Sequence, residues 1–162
     1  MEPGYEMAVL PPEDWKAHIA EVISVRTSAY EKWNGPKSKE EQAREAEQWL
    51  RKWSARRAPV LIVAKKDREV VGYVSGDERD LGEFYISHIG VREDLKRRGI
   101  GRSLVRRLEE HAKLQGCRAV RTTTYNRFKG MLILLLHQGF YIQGTTWVEG
   151  ATEPSISLRK EL

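Results

Sequence analysis

The sequence predicts a single α+β domain with a mixed, mostly antiparallel central sheet that helices flank. β-Branched runs separated by short turns predict hairpins, and one strand-loop-helix-strand unit predicts a parallel pair of strands in the same sheet. The chain has 162 residues, within the range of ~100–200 residues usual for one domain. No repeat or linker divides it, so we expect residues 1–162 to form one unit.

The N-terminal third predicts a short strand and two helices. The apolar run Met7–Leu10 comes first, and Gly35 lies in the break between the two helices. Ser38 followed by Glu41 is typical of a capping box, so we expect the second helix to begin there and to end before Pro59. In the first helix the apolar residues at helical spacing are Trp15, Ile19, Val22, Ile23 and Tyr30.

The rest of the chain predicts strands interrupted by two helices. Gly99 and Gly101 precede a helix that Gly116 ends. The run Met131–Leu136 predicts a buried helix, although a strand fits the same apolar run. The predicted strands are Val60–Ala64, Val70–Ser75, Glu83–Val91, Cys117–Thr123, Phe140–Ile142, Thr145–Val148 and Ile156–Leu158.

The composition excludes several classes of protein. With 40% hydrophobic and 31% charged residues, the chain is typical of folded soluble proteins, and no run approaches the ~18 apolar residues of a membrane span. The segment Met1–Glu6 lacks an export signal, so we expect a cytoplasmic location and no membrane partner. The single cysteine, Cys117, is expected to pack as a small apolar residue. No metal is expected, because no metal-binding spacing relates His18, His88, His111 and His137.

The charges are unevenly distributed along the chain. The net charge is +5, from 28 Lys and Arg against 23 Asp and Glu. An acidic stretch from Asp77 to Glu83 precedes a basic one, so one part of the surface suits a cation and another suits phosphate. The basic residues are Arg92, Lys96, Arg97, Arg98, Arg102, Arg106 and Arg107.

The segment from Ile86 to Leu104 combines a strand, a basic loop, two glycines and a helix start. A helix N-terminus has about four N–H groups without intrahelical acceptors and carries about half a positive charge, so it attracts phosphate. Gly99 and Gly101 lack a Cβ, which lets the backbone approach an anion closely. The third glycine of a dinucleotide site and the Gly-Lys-Ser/Thr of a Walker loop are missing, so NAD and ATP are not expected.

This segment resembles the signature of the GNAT superfamily of acyl-CoA-dependent N-acyltransferases, which is Gln/Arg-x-x-Gly-x-Gly/Ala after an apolar strand. The run Lys96-Arg97-Arg98-Gly99-Ile100-Gly101 matches it, except that Lys96 stands where Gln or Arg is usual. With the order of elements and the downstream Gly139-Phe140, the resemblance extends over residues 5–162. It implies a GNAT-like fold and an N-acetyltransferase that uses acetyl-CoA as cosubstrate.

The resemblance also implies where the coenzyme binds. Backbone amides after Arg97 would hold the diphosphate, and the backbones of Ile89 and Val91, at a splayed end of their strand, would bond the pantetheine. Arg102 and Ser103 would complete the phosphate site. The full set of implied coenzyme-binding residues is Ile89, Gly90, Val91, Lys96, Arg97, Arg98, Gly99, Ile100, Gly101, Arg102 and Ser103.

Acyl transfer to an amine requires a stabilised oxyanion and a base. The resemblance assigns the oxyanion to the Ile89 backbone N–H. Some family members that modify protein lysines carry Glu where this chain has Tyr85, so we expect Glu83, two residues earlier on the same strand face, to act as a water-mediated base. A surface charge is the alternative for Glu83. Strict alternation puts His88 on the opposite face.

The general acid of the family is usually a Tyr four positions before the Gly-Phe pair, and here that position is Leu135. Tyr125, at the end of the preceding strand, is the nearest substitute. Packing of an aromatic ring is the alternative for Tyr125, and departure of an unassisted thiolate is the alternative for the reaction.

The acceptor is expected to be a primary amine of a small molecule or protein, attacking directly in a ternary complex. Trp33, Trp49, Trp53 and Asp77–Asp80 could receive an amphipathic cation, or the tryptophans could simply pack. Two rival functions stay open: an acyl-CoA-binding sensor without turnover, and nucleic-acid binding through Arg92–Arg107, which the lack of interleaved aromatic residues disfavours. A homodimer is among the open assemblies.

Overall fold

A seven-stranded sheet forms the centre of the protein, with the spatial order β1-β2-β3-β4-β5-β7-β6. The structure is a computed structural model that describes residues 4–162, so residues 1–3 of the expected domain lie outside the described residues. Only β4 and β5 are parallel, and the other neighbours are antiparallel, as predicted. The strands are β1 (Tyr5–Leu10), β2 (Val60–Lys66), β3 (Glu69–Asp80), β4 (Glu83–Val91), β5 (Ala119–Tyr125), β6 (Tyr141–Thr146) and β7 (Ser155–Glu161).

Four helices cover the two faces of the sheet. Trp15 and Trp49, from the first two helices, belong to one buried cluster, and Leu104 and Leu135, from the last two, belong to the other. We refer to these as the α1–α2 face and the α3–α4 face. The helices are α1 (Pro12–Asn34), α2 (Lys39–Ser54), α3 (Ile100–Leu114) and α4 (Lys129–His137).

Local signals in the sequence explain where these helices begin and end. Pro12 occupies the first turn of α1, where its missing N–H costs no hydrogen bond. The Ser38 hydroxyl accepts a hydrogen bond from the Glu41 N–H at 3.1 Å, which confirms the predicted cap of α2. The predicted stop of α3 is also confirmed, because Gly116 adopts a left-handed φ of 84° just beyond its end.

Strands β4 and β5 separate from each other part of the way along their length. They pair from Glu83 with Ala119 to Ile86 with Thr122, and the Thr122 hydroxyl donates to the Ile86 carbonyl at 3.1 Å where the pairing ends. Beyond that point β4 pairs only with β3, and residues 123–125 of β5 pair only with β7. The two strands therefore leave a gap within an otherwise continuous sheet.

A bulge in β4 changes which side chains face each side of the sheet. Ser75 of β3 opposes His88, whereas Gly76 opposes Ile86, so Ser87 is the extra residue. The ring of His88 stacks on Trp49 at 4.2 Å between centroids, which places it on the α1–α2 face. Ile86 packs on the α3–α4 face, so Tyr85 also points to the α1–α2 face. Strict alternation wrongly separated His88 from Tyr85.

Three predicted elements differ from the observed ones. Strand β3 continues to Asp80, because the acidic stretch pairs with the start of β4 instead of forming a loop. The two short strands predicted at 140–142 and 145–148 are one strand, β6, and Trp147 lies beyond it. Helix α4 is a helix as predicted, but only one of its residues, Leu135, is fully buried. An apolar run with no polar face gave no indication of which side would be exposed.

Candidate active site

A cleft of about 330 Å³ lies at the gap between β4 and β5. Its volume falls within the range of ~300–1,000 Å³ usual for small-molecule sites. Residues from both faces of the sheet line it, so the cleft passes from one face to the other. The lining residues used below are Arg26, Tyr30, Asn34, Ile86, Ser87, His88, Val105, Tyr125, Arg127, Phe128, Met131 and Leu135, together with Ile89.

The backbone of Ile89 points into the gap. The Arg92 N–H donates to the Val71 carbonyl at 2.8 Å. Because hydrogen-bonded pairs alternate in an antiparallel ladder, the pairs of Ile89 with Val74 and Val91 with Gly72 are not hydrogen-bonded. Their N–H and C=O groups therefore face away from β3, towards the side where β5 has separated. The expected orientation of these two backbones agrees with this register.

Tyr30 fixes that end of β4 from helix α1. Its hydroxyl donates to the Ile89 carbonyl at 2.7 Å, and its ring contacts Phe128 at 5.4 Å between centroids. The carbonyl of Ile89 is thus already occupied, which leaves its N–H as the group available to a ligand. Sequence reasoning treated Tyr30 as a packing residue, because helical spacing alone does not reveal a contact with a strand 59 residues away.

Gly90 does not offer its backbone to the gap. It belongs to a hydrogen-bonded pair with Tyr73, so its N–H and C=O face β3. A Cβ at this position would lie 2.9 Å from the Tyr73 ring, which explains why glycine is needed. Gly90 therefore packs against Tyr73, and its expected part in binding the coenzyme stays a prediction.

The loop before α3 has the geometry of an anion site. Arg97 and Gly99 adopt left-handed φ angles of 66° and 81°, which turn the chain sharply into the helix. The first hydrogen bond of α3 runs from the Ser103 N–H to the Gly99 carbonyl at 3.0 Å. The amides of residues 100–102 therefore precede the helical ladder. A Cβ built on Gly99 would meet no described atom within 4 Å, so the turn is open on that side.

Two cations of the basic loop have partners within the protein. The Lys96 ammonium donates to the Ala29 carbonyl at 2.9 Å and pairs with Glu93 at 2.6 Å. Arg92 pairs with Asp94 at 2.7 Å, and this raises its pKa. Lys96 therefore ties the loop to α1, and its expected part in binding the coenzyme stays a prediction. Other residues of the implied set lie in the turn or in the first turn of α3: Arg97, Arg98, Gly101, Arg102 and Ser103, with Ile100 packed in the core.

Glu83 lies away from the cleft among three arginines. It forms ion pairs with Arg159, with Arg121 at 3.4 Å and with Arg118 at 3.8 Å. The hydrogen bond from Arg159 is the main cause that lowers the pKa of Glu83. Ile89 lies six positions further along β4, a distance of about 20 Å along an extended strand. The geometry therefore does not support the expectation that Glu83 acts as the base.

Two other residues expected from the family comparison do line the cleft. Leu135 is 2% exposed and faces the cleft from α4. This position therefore lies at the site, but its side chain has no ionisable group that could donate a proton. Tyr125 lines the cleft from the end of β5, and its ring contacts Phe128 at 6.2 Å between centroids. The structure thus brings Tyr125 to the site, and its role as acid stays a prediction.

His88 is the titratable imidazole that lines the cleft. Neither ring nitrogen bonds to a described residue, and one face of the ring covers Trp49. Burial is the main cause that lowers its pKa to about 4, and the nearby Arg26 acts in the same direction. At neutral pH the side chain is therefore an uncharged imidazole with an available lone pair. The bulge at Ser87, which no sequence pattern announced, puts it there.

The residues expected to receive a cationic acceptor are largely occupied. Trp49 and Trp53 are each 7% exposed and pack in the α1–α2 cluster. Asp77 is 3% exposed, pairs with Arg79 at 3.1 Å and accepts a hydrogen bond from Ser87 at 3.0 Å. The two tryptophans therefore pack in the core, as the alternative had it. The carboxylate of Asp77 is already balanced by its ion pair with Arg79.

Neither Cys117 nor a metal centre contributes to the cleft. Cys117 is buried outside it, and burial raises the pKa of its thiol. Within residues 4–162 no group of three or more His, Cys, Asp or Glu side chains could hold a metal ion. Over the same range, no helix is long and apolar enough to cross a membrane.

Comparison with known proteins gives the family. The model of the acetyltransferase (GNAT) family matches residues 22–140, which is more than half of the chain. The chain therefore belongs to the GNAT acetyltransferase family.

Individual relatives agree with this family. The chain is 35% identical over 81 residues to GCN5-related N-acetyltransferase 4, chloroplastic, of Arabidopsis thaliana; the match covers 48% of this chain and 28% of that protein. The chain thus spans less than a third of that relative's length, and its expected cytoplasmic location stays a prediction.

Solved structures share the fold at low identity. A putative GNAT-family acetyltransferase from Desulfovibrio desulfuricans superposes with a TM-score of 0.75 and 19% identity, covering 97% of this chain and 98% of the other. A putative streptothricin acetyltransferase from Bacillus anthracis, solved in complex with acetyl coenzyme A, superposes with a TM-score of 0.63 and 16% identity. The match covers 69% of this chain and 67% of the other. The overall fold is therefore shared with a structure that was solved in complex with acetyl coenzyme A.

Removing the His88 imidazole is expected to reduce the loss of stability in acid. Its pKa is lowered on folding, so the unfolded chain binds the proton more tightly and stability falls as the pH drops from about 6.5 towards 4. The wild type should lose about 2 kcal/mol more than His88→Phe between pH 7.5 and pH 5. Urea unfolding at both pH values measures this. The phenyl ring keeps the stack on Trp49, and equal losses in the two proteins would contradict the prediction.

Proposed function

We propose that this protein transfers the acetyl group of acetyl-CoA to a primary amine by direct attack in a ternary complex. The observation that carries the proposal is the separation of β4 from β5, which leaves the amide of Ile89 facing a cleft next to the N-terminus of α3. In the reaction the amine nitrogen bonds to the acetyl carbon and the carbon–sulfur bond breaks. One proton leaves the amine, and the thiolate departs free or takes up a proton.

The turn before α3 is the proposed site of the coenzyme diphosphate. Its amides at Ile100, Gly101 and Arg102 have no helical acceptor, and the helix dipole favours an anion there. The backbone of Val91 faces the gap and is proposed to bond the pantetheine. The donor set fits acetyl-CoA because it combines the helix N-terminus of α3 with strand amides that face the gap between β4 and β5.

The Ile89 N–H is the proposed donor to the oxyanion that develops on the acetyl carbonyl. Tyr30 holds the same residue by donating a hydrogen bond to the Ile89 carbonyl at 2.7 Å. A donor fixed before the reaction needs little reorganisation as charge develops, which is the basis of oxyanion stabilisation. Tyr30 is thus a positioning residue in this proposal.

His88 replaces Glu83 as the proposed base. It is adjacent to Ile89 in β4, lines the cleft and is uncharged at neutral pH. An imidazole with free nitrogens can take a proton from the attacking amine, directly or through a water molecule. Glu83 instead forms ion pairs with Arg121 of β5, Arg159 of β7 and Arg118, which lies just before β5. These contacts support a structural role.

Binding of acyl-CoA without turnover is the second candidate function. The observation that favours it is Leu135, a buried aliphatic side chain at the cleft where the family usually has the acid. Nucleic-acid binding through Arg92–Arg107 is less favoured, because Arg92, Lys96 and Arg107 have acidic partners of their own.

Acetyl-CoA is expected to stabilise the fold against heat. At ~100 times Kd a ligand contributes roughly 2.7 kcal/mol, or about 5–10 °C in Tm for a protein of this size. Thermal shift measures this. Gly101→Val should abolish the shift because a Cβ there lies 3.1 Å from the Leu134 side chain, so a larger side chain displaces the first turn of α3, while Gly144→Ala, in open space on β6, should keep it. A larger shift with double-stranded DNA or NAD than with acetyl-CoA would overturn the proposal.

Loss of the base is expected to lower the rate without weakening coenzyme binding. His88→Phe should reduce kcat by about 10²–10⁴, because the ring stays but cannot accept a proton. Glu83→Gln is the matched control and should change kcat by less than about 3-fold when normalised to folded protein. Steady-state kinetics with an accepted amine decide between them, and the reverse order of effects would restore Glu83 as the base.

Tyr125 is expected to protonate the departing thiolate. Tyr125→Phe deletes the hydroxyl and keeps the ring, so kcat should fall at least ~10-fold with KM for acetyl-CoA nearly unchanged. Leu135→Tyr, which adds a phenol at the cleft, should recover part of that loss in the double variant. If kcat is unaffected by Tyr125→Phe, the thiolate leaves unassisted, as a thiol of pKa ~8.5 can.

A further inference from the structure

The cleft has two chemically different halves. Its α3–α4 half is mostly apolar, with Ile86, Val105, Met131 and Leu135, and the threonines 122–124 of β5 complete the lining at the gap. Its α1–α2 half is polar and comes from other elements: Arg26, Asn34, Ser87 and His88. The anion site at the start of α3 lies with the apolar half, because α3 packs on that face. The amine acceptor is therefore left with the polar half.

The polar half contains positive charge without a lining carboxylate. No Asp or Glu is among the described residues that line the cleft. The nearest acid behind Ser87 is Asp77, and Arg79 neutralises it with two hydrogen bonds, at 3.3 and 3.1 Å. A polyamine or another multiply charged cation would find no anion to replace its water there, which is costly.

Arg26 presents its guanidinium to this half in a fixed position. The guanidinium carbon lies 5.1 Å from the Tyr30 ring centroid and 5.0 Å from that of Trp49. Its Nε bonds Glu45 at 2.9 Å, and the two terminal nitrogens have no carboxylate partner among residues 4–162. The side chain is 23% exposed, so it is largely held by the protein yet open to the cleft.

Glu45 does not cancel this charge. The same carboxylate also binds Lys37 at 2.5 Å, so two cations share one anion. The buried Tyr73 hydroxyl is a neutral neighbour of this guanidinium and supplies no charge to balance it. A guanidinium whose terminal nitrogens bind no carboxylate can match one in two parallel hydrogen bonds. At the mouth of the cleft Arg127 adds a further cation, whose guanidinium covers the Phe128 ring at 4.9 Å.

We propose that the acceptor is a free amino acid, whose carboxylate binds the terminal nitrogens of Arg26 while its amine reaches the acetyl group beside Ile89. The aromatic rings of Tyr30 and Phe128 favour an apolar or aromatic side chain on that amino acid. This inference rests on the proposed acetyl transfer and names its substrate class. It replaces the amphipathic cation expected from the sequence.

The electrostatic surroundings of His88 support this assignment. Besides burial, its pKa is lowered by Arg26, Lys52 and Arg79, while Glu45 is the group that acts in the opposite direction. These groups come from α1, α2 and β3, so the field around the cleft is positive from several sides. A carboxylate on the acceptor compensates that field, and an additional ammonium group increases it.

The test compares amines that differ in the carboxylate alone. Acetylation by the full chain is followed as free thiol release with the standard amino acids, their amides, phenethylamine and spermidine. We expect at least one apolar or aromatic amino acid to exceed its own amide in kcat/KM by about 10-fold or more, as a charge-assisted pair contributes. Equal or faster turnover of the amide, or a preference for spermidine, would overturn the proposal.

Variants test whether Arg26 is the residue that binds the carboxylate of the acceptor. Arg26→Gln should lower kcat/KM for the amino acid by about 10- to 100-fold more than it lowers kcat/KM for the amide. Glu45→Gln should keep the preference, because it removes the competing anion. Arg106→Gln, which removes an exposed cation of α3, is the control for net charge. An equal loss with both substrates in Arg26→Gln would reduce Arg26 to a structural role.

Acetyl-CoA binding separates failure of this inference from failure of the function. If acetyl-CoA raises the Tm but no amino acid is acetylated, the acceptor class is wrong and coenzyme binding stands. If acetyl-CoA has no effect on Tm and no amine in the panel is acetylated, the proposed acetyl transfer itself fails. The Tm of Arg26→Gln with and without acetyl-CoA shows whether that variant is folded.

Discussion

The separation of β4 from β5 is the constraint on which the rest of the site depends. Two parallel strands that stayed paired would use the outward-facing N–H and C=O groups of Ile89 and Val91 in the sheet. Because pairing stops at Ile86 and Thr122, these groups are left facing a cleft. At the last pair the Thr122 hydroxyl donates a hydrogen bond to the Ile86 carbonyl, so that carbonyl is satisfied where the strands separate. The sheet thereby provides backbone donors without any dedicated side chain.

Helix α1 contributes more to the site than its packing alone requires. Tyr30 takes the carbonyl of Ile89, and the Ala29 carbonyl takes the ammonium of Lys96. One turn of the helix therefore holds both the cleft strand and the loop before α3. The aromatic contacts of Trp33 and Tyr30 with Phe128 extend this connection to the start of α4. The three segments around the cleft are positioned by a single helix end.

Ion pairs within the protein decide which of its charged side chains remain available to a ligand. Glu83 and Asp77 both carry formal charge near β4, but arginines bind each of them, so neither serves as an open anion. Arg26 is the reverse case, because its one acidic partner is shared with Lys37. The resulting positive field leaves His88 uncharged at neutral pH, since burial and the surrounding cations both disfavour its protonated form. A base and a cation can therefore share the polar half of the cleft.

The sequence by itself determined the family, the α+β class and the glycine turn that leads into α3, because these depend on local spacing and on the order of the elements. It also placed the missing acid at Leu135, which does face the cleft. Only the tertiary structure decided which partners Glu83 and Lys96 have and which face of the sheet His88 occupies. Their partners lie on other elements, as Arg159 does for Glu83 and Ala29 for Lys96. A single bulged residue reverses the face of His88, and neither long-range pairing nor a bulge leaves a periodic signal in the chain.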